Sequence, residues 1–450
     1  MRDECDESSL SIWLLLAKVD VPAAITNMKS MPPPTLALLA GLFLSWQALA
    51  LSLESATTSS RRDFLNNAAS ASAAGLLTTT FSEPAVASAT TSPSDQTICV
   101  TGANGYIGLH CVANLLDNGY TVKAALRSVS ESKTKYLQKI AAERGASDKL
   151  SFTTIDLLNV DSMVEAGRGC NAMLHLASPF ILRSGGNPIK TIVEPAIAGA
   201  TNAVEAANVL GLQRVVACGS IFGMVGSGSE KGFDHVYGAN DVNGFNTPKG
   251  CSYAYSKMAA QEKSISLAAQ SGVDLVTLNV GQVCGPALSP EQNNPSWEPF
   301  KLLANPQPGG AVLSCCVPGF TDVRDVAQAH VAALGLPVNK QRPRRYTISS
   351  QNQSPTYVEI AQTYAEILPE RNLPKNVAAL PPKAQKLVVK GLGLGDKSLG
   401  ELLEGVSIPE GKTLLVDTEP MLRDLVPQPR AVEKTLKDWF DNQVAYGHVV

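Results

Sequence analysis

The chain has 450 residues, 44% apolar and 17% charged, a balance that excludes wholesale disorder. Its net charge of −3 leaves no basic excess to drive non-specific nucleic-acid binding. The 9 cysteines (Cys5, Cys99, Cys111, Cys170, Cys218, Cys251, Cys284, Cys315 and Cys316) include no C-x-x-C pair, which argues against a zinc knuckle or a disulfide scaffold and for buried thiols folded under reducing conditions.

Residues 1–95 read as an address rather than as fold. Ser30 to Leu53 carries no charge, Lys29 precedes it, and Ala48-Leu49-Ala50 offers a small-residue exit, the pattern of a secretory signal peptide. The alternative is a membrane anchor, since the run approaches the ~20 residues that span a bilayer. Further on, Arg61-Arg62 stands in an Ala/Ser/Thr-rich stretch that ends in Ala85-Val86-Ala87, similar to a twin-arginine export signal or, alternatively, to a Ser/Ala-rich transit peptide. Two stacked signals resemble the bipartite leaders of plastid proteins, so a plastid is the expected destination; a membrane-anchored or secretory location is the alternative. The leader holds 5 Lys/Arg against 9 Asp/Glu, a net of −4, which leaves about +1 for the remainder.

Fold begins with the apolar run Thr97-Ile98-Cys99-Val100, followed by Thr101-Gly102-Ala103-Asn104-Gly105-Tyr106-Ile107-Gly108 and a helical pattern. Strand, glycine-rich turn and helix form the phosphate-binding half of a Rossmann unit: Gly102 permits the tight turn, Gly105 lets backbone approach a pyrophosphate, and Gly108 lets the helix pack close to the strand. The next strand, Tyr120 to Leu126, ends in Arg127-Ser128, where an NAD binder carries an acid. Arg127, helped by Lys133 or Lys135, can pair with a 2′-phosphate, so NADP(H) is expected over NAD(H); the alternative is a solvated surface arginine. Further strands are expected at 151–155, 172–176, 214–218, 275–279 and 345–348, with helical spacers between them. That alternation predicts an α/β fold, a doubly wound parallel sheet buried on both faces.

Two features carry chemistry. Tyr253 has Lys257 four residues on, in a helical stretch that puts both on one face. An ammonium near a phenol lowers its pKa and suits it to proton exchange at a carbonyl or hydroxyl oxygen; alone, the pair equally fits an exposed helix contact. Ser220 follows a strand at the sheet's carboxyl end, where it can donate to a substrate oxygen or simply serve a turn. Together with the cofactor loop, in this chain order, the three compose a catalytic triad.

The segments TGANGYIG (101–108), DLLNVDS (156–162), HLASPF (175–180), VVACGS (215–220), YAYSK (253–257), NVGQVCGP (279–286) and VRDVAQAH (323–330) resemble an extended short-chain dehydrogenase/reductase of the NAD-dependent epimerase/dehydratase superfamily. Within it the chain is similar to the dihydroflavonol reductase, cinnamoyl-CoA reductase and fungal aldehyde/ketone reductase group. The resemblance implies that Ser220 polarises a carbonyl, Tyr253 supplies the proton, and Lys257 holds the nicotinamide ribose and tunes Tyr253. It implies cofactor contacts from the glycine loop, including Asn104, Tyr106 and Ile107, from Asp156 and Leu157 at the adenine, from Leu176, Ala177 and Ser178 along the middle, and from Val283 at the nicotinamide. His175 and His330 are expected to be packed rather than catalytic. Two departures stand out. Asn279-Val280 replaces the family's X-Pro, which predicts a less rigid loop, and Thr247-Pro248-Lys249-Gly250-Cys251-Ser252 lacks the tryptophan of many cinnamoyl-CoA reductases, which disfavours a coenzyme A thioester. Trp297 and Phe300 either shape an apolar pocket or anchor their loop by burial.

The expected organisation is a leader at 1–95, an NADP-binding Rossmann domain at 96–282 to which 321–350 returns, and a smaller substrate-binding lobe from 283–320 and 351–450. The expected activity is NADPH-dependent reduction of a small aldehyde or ketone, by a monomer or homodimer with no nucleic-acid partner, no metal and no stable membrane association once the leader is cleaved. Alternatives are a nucleotide-sugar epimerase or dehydratase, which Arg127 disfavours, and a non-catalytic NADP-binding protein, which the intact triad disfavours.

Overall fold

A computed structural model describes residues 92–178, 187–226, 230–248, 250–292, 294–305, 311–312, 315–380, 407 and 411–449. Residues 1–91, with both leader signals, and the motif residues Pro179, Phe180 and Lys249 lie outside the described residues. No described helix is long and apolar enough to cross a membrane.

Seven strands form one parallel sheet: β1 (Thr97–Thr101), β2 (Thr121–Leu126), β3 (Leu150–Thr154), β4 (Ala172–His175), β5 (Arg214–Ser220), β6 (Leu275–Val280) and β7 (Arg344–Ile348). Their spatial order is β7-β6-β5-β4-β1-β2-β3. The chain winds outward from β1 to β3, then restarts beside β1 with β4 and winds the other way. That reversal opens a crevice at the carboxyl ends of β1 and β4, where doubly wound sheets bind ligands.

Helices α1 (Tyr106–Asp117), α2 (Glu131–Glu143), α3 (Val160–Gly167), α4 (Glu194–Leu210), α5 (Ser252–Ser271) and α7 (Val323–Ala332) cover the sheet, with α6 (Glu298–Leu303) between the last two in the chain. Side chains alternate along each strand, so both faces need cover. Ile98 and Val100 of β1 pack with Leu109 and Val112 of α1 and Val326 of α7. Cys99 points the other way, into a cluster with Met163 of α3 and Ala203 of α4. The near-continuous apolar strands of the sequence follow from this two-sided burial.

A second core joins residues from 284–320 to helices α8 (Tyr357–Ile367) and α10 (Val432–Ala445), with α9 (Glu419–Asp424) returning to the first core. Trp297, Phe300, Phe320, Tyr364 and Trp439 are its fully buried centre. Trp297 and Phe300 therefore anchor their segment by burial. Asp322 fastens this part to the sheet: its carboxylate accepts from Thr435 of α10 at 2.9 Å and from Arg324 at 2.6 Å, and Arg324 also reaches Asp438. Cys315 and Cys316 are both buried free thiols, as the sequence suggested.

Candidate active site

The glycine loop bridges β1 and α1 at the crevice. Gly102 has φ +69, which L side chains rarely adopt, and a Cβ there would press on the backbone of Ala177 at 3.1 Å. A Cβ on Gly108 would stand 2.1 Å from the Gly102 carbonyl, so only glycine lets α1 start this close to the strand. Helix α1 begins after Gly105 with no side-chain cap, whereas α3 is capped by Asn159 and α8 by a Thr356/Glu359 capping box. The N–H groups of α1's first turn thus remain available to an anion. Asn104 and Ile107 are partly buried in the same turn. Tyr106 faces away from it: its hydroxyl donates to the Gly285 carbonyl at 2.7 Å, and its ring meets Trp297 edge-on at 4.8 Å. In this structure Tyr106 ties the loop to the segment after residue 283.

Thr101 closes the floor between β1 and β4. Its hydroxyl oxygen accepts from the Leu176 and Ala177 N–H groups at 3.1 and 3.2 Å and lies 3.1 Å from His175 Nδ1. With both N–H groups directed at the oxygen, the hydroxyl proton goes to Nδ1. Burial lowers His175 to about 4, so it is neutral and packed, as expected. His330 is likewise lowered to about 4 by burial, its Nδ1 donating to the Val326 carbonyl. Sequence reasoning missed Thr101, although its place directly before the first glycine was a usable signal.

Arg127 is exposed just past the end of β2 and pairs with no acid among the described residues. Lys135, one of its two suggested helpers, instead pairs with Glu291. Asp156 turns its carboxylate back to the Leu158 N–H at 3.0 Å, and Leu157 packs beneath α4, its carbonyl accepting from Asn202 at 2.9 Å. Val283 is buried and pairs with Thr321. The loop before it needs no proline: Gln282 donates to the Pro318 carbonyl and accepts from the Thr321 N–H, both at 3.0 Å. These bonds span the turn in which the sequence lacks the family proline.

Ser220, Tyr253 and Lys257 converge at the carboxyl end of β5. Ser220 ends the strand, and its hydroxyl stands near enough to Tyr253 to favour the phenolate. Tyr253 lies in the first turn of α5 and is 8% exposed; Phe222 meets its ring edge-on at 6.2 Å. Lys257 Nζ lies 5.2 Å from the centre of that ring and donates to Ser178 at 2.8 Å. Burial pushes the Tyr253 phenol up from its ordinary value, with Ser220 opposing it, and burial lowers the Lys257 amine to about 8. The sequence predicted a lowered phenol. The difference arises because the amine sits over the ring and hydrogen-bonds to Ser178, while the hydroxyl is enclosed. Leu176, Ala177 and Ser178 therefore line the strand end between the glycine loop and this trio.

The sequence profile of the NAD dependent epimerase/dehydratase family matches residues 98–349. Cinnamoyl-CoA reductase 1 of Arabidopsis thaliana is 32% identical over 311 residues, covering 67% of this chain and 86% of that protein. Vestitone reductase of Medicago sativa is 28% identical over 242 residues, covering 53% of this chain and 72% of its own. The solved structure of Gre2 in complex with NADPH from Candida albicans superposes with a TM-score of 0.61 at 21% identity, over 78% of this chain and 99% of that one, a likeness of fold. The chain belongs to the NAD dependent epimerase/dehydratase family, as an oxidoreductase of its extended short-chain dehydrogenase/reductase branch.

Proposed function

We propose that the protein is an NADPH-dependent carbonyl reductase. The observation that carries this reading is the convergence of a buried phenol, a serine hydroxyl near it and a lysine over its ring, beside an uncapped helix N-terminus. The relatives' names, cinnamoyl-CoA reductase and vestitone reductase, support it. The crevice fits a dinucleotide: a side chain at Gly102 would press on Ala177, one at Gly108 would push α1 off the strand, and α1's first N–H groups suit a pyrophosphate. Arg127 would hold the 2′-phosphate, Asp156 and Leu157 would flank the adenine, and Leu176 to Ser178, Lys257 and Val283 would line the remainder. NADPH, when bound, supplies the hydride. Ser220 would donate to the substrate oxygen, Tyr253 would deliver its proton there, and Lys257 would sustain the proton's replacement from its place beside Ser178. Burial favours the neutral phenol, the form that carries the proton to be delivered.

The test is NADPH consumption by the purified chain over aldehydes, ketones, flavonoid-type ketones and coenzyme A thioesters. Turnover is expected with a free aldehyde or ketone and not with the thioesters. Turnover of a nucleotide sugar alone would replace the proposal with an epimerase or dehydratase reading. Arg127→Asp is expected to raise the KM for NADPH at least about tenfold, the scale of one lost charge-assisted contact of 1.5–3 kcal/mol, while changing that for NADH little. Equal effects on the two cofactors would remove Arg127 from the phosphate site.

A further inference from the structure

A second constellation lies on the sheet face away from α1. Cys99 stands in the middle of β1, in register with Lys123 of β2. Cys170 ends the turn between α3 and β4 and is half-buried. Cys170 packs against the apolar cluster that holds Cys99, and each thiol shifts the other's proton affinity. Lys123 reaches over the same turn, its Nζ donating to the carbonyls of Arg168 at 3.1 Å and Glu165 at 3.4 Å. A half-buried cysteine, a fully buried one and a fixed cation therefore share one place, outside the crevice.

We propose that Cys99 and Cys170 form a reversible dithiol–disulfide site oxidised by hydroperoxides, with Cys170 as the attacking sulfur and Cys99 as the resolving one. Access sets the order, because Cys99 is fully buried whereas Cys170 is only half-buried. Electrostatics agrees. Cys99, and then the charge of Lys123, hold the Cys170 thiol below its ordinary value against partial burial. The Cys99 thiol is raised, by Cys170 and by burial, and keeps its proton. Cys218 is also half-buried but is pushed up to about 11 by burial, so it serves as an internal comparison.

With hydrogen peroxide the Cys170 thiolate attacks one oxygen. An S–O bond forms, the O–O bond breaks, and the departing hydroxide takes up a proton to become water. Cys99 sulfur then attacks the Cys170 sulfenic acid. The S–S bond forms, the S–O bond breaks, and the released hydroxide takes the Cys99 proton as a second water. Two electrons leave the sulfur pair and reduce one peroxide. The product ties β1 to the turn that enters β4, joining the two strands that bound the crevice.

The experiment treats the reduced full chain with stoichiometric hydrogen peroxide and follows it by intact mass and peptide sequencing. The expected product is lighter by about 2 Da, the two hydrogens of one disulfide. Its cross-link should join Cys170 to Cys99 rather than to Cys111 nearby in sequence, and dithiothreitol should reverse it. Cys170→Ser, in a half-exposed turn, should lose the cross-link without altering the thermal midpoint of the reduced protein. In Cys99→Ala, Cys170 should accumulate as a sulfenic acid that dimedone captures. Lys123→Met should slow iodoacetamide labelling of Cys170 and leave that of Cys218 unchanged. Peroxide that leaves Cys170 reduced, oxidises Cys218 first, or takes Cys170 to sulfinic acid without a link to Cys99 would overturn the proposal.

Discussion

Tyr253→Phe is expected to lower kcat for carbonyl reduction by about 10²- to 10⁴-fold, the usual contribution of a positioned general acid. The affinity for NADPH should stay within about twofold, less than the 1.4 kcal/mol of a tenfold change. The substitution removes one hydroxyl and keeps the ring, which is 8% exposed and touches Phe222 edge-on. The cradle at Gly102 and Gly108 is untouched, and so is the Lys257 bond to Ser178. Ser220 still accepts from the Phe222 N–H at 3.3 Å, so its hydroxyl remains placed at the strand end. Steady-state NADPH oxidation gives kcat, and quenching of protein fluorescence on NADPH titration gives affinity. A variant with full activity would exclude Tyr253 as the proton donor. A variant that loses cofactor affinity and activity together would assign Tyr253 to binding instead.

The sheet was legible in the sequence because its strands are buried on both faces. Thr97 to Val100 and Leu275 to Asn279 show as apolar blocks, and punctuation by glycine and helical spacers leaves little freedom in winding order. The glycine loop was legible for a steric reason, since no other residue tolerates the Gly102–Gly108 contact. What stayed hidden depends on contacts distant in sequence. Tyr106 lies inside the loop motif yet bonds to Gly285, 179 residues on, and nothing local marks that partner. Trp297 reads equally as a pocket residue or a loop anchor until Trp439 and Tyr106 are seen against it. Lys257 is placed on Tyr253's face by helix spacing, but the choice of Ser178 as its hydrogen-bond partner, and with it the raised phenol, belongs to the approach of β4. Lys135 shows the same limit, its charge being taken by Glu291 from a loop that the local sequence does not foreshadow.

Stability should depend most on a charged cluster at the other end of the strands. Arg214 opens β5 and is 1% exposed, and Asp274 directly precedes β6 and is 0% exposed. Arg214 donates to Asp274 at 2.5 and 2.9 Å and to the carbonyls of Ala333, Leu334 and Pro337 at 2.8 to 3.0 Å. Arg344, the first residue of β7, donates to the same carboxylate at 2.9 Å. One acid thus joins three adjacent strands at their amino ends. Asp274→Ala is expected to cost about 3–5 kcal/mol, because it leaves a buried guanidinium without a counter-charge. Arg344 is better able to turn to solvent, being 20% exposed. The double variant Arg214→Met/Asp274→Ala should therefore recover a large part of that loss, since removing both charges also removes their desolvation cost. Urea midpoints for wild type, both single variants and the double variant close the cycle. Strictly additive losses, or a single-variant cost below about 1 kcal/mol, would mean that the cluster behaves like a solvated pair. The site stands at the carboxyl ends of these strands, so kcat per folded molecule should hold in every variant, and a fall in kcat would show that the amino-end cluster also sets the geometry of Ser220 through β5.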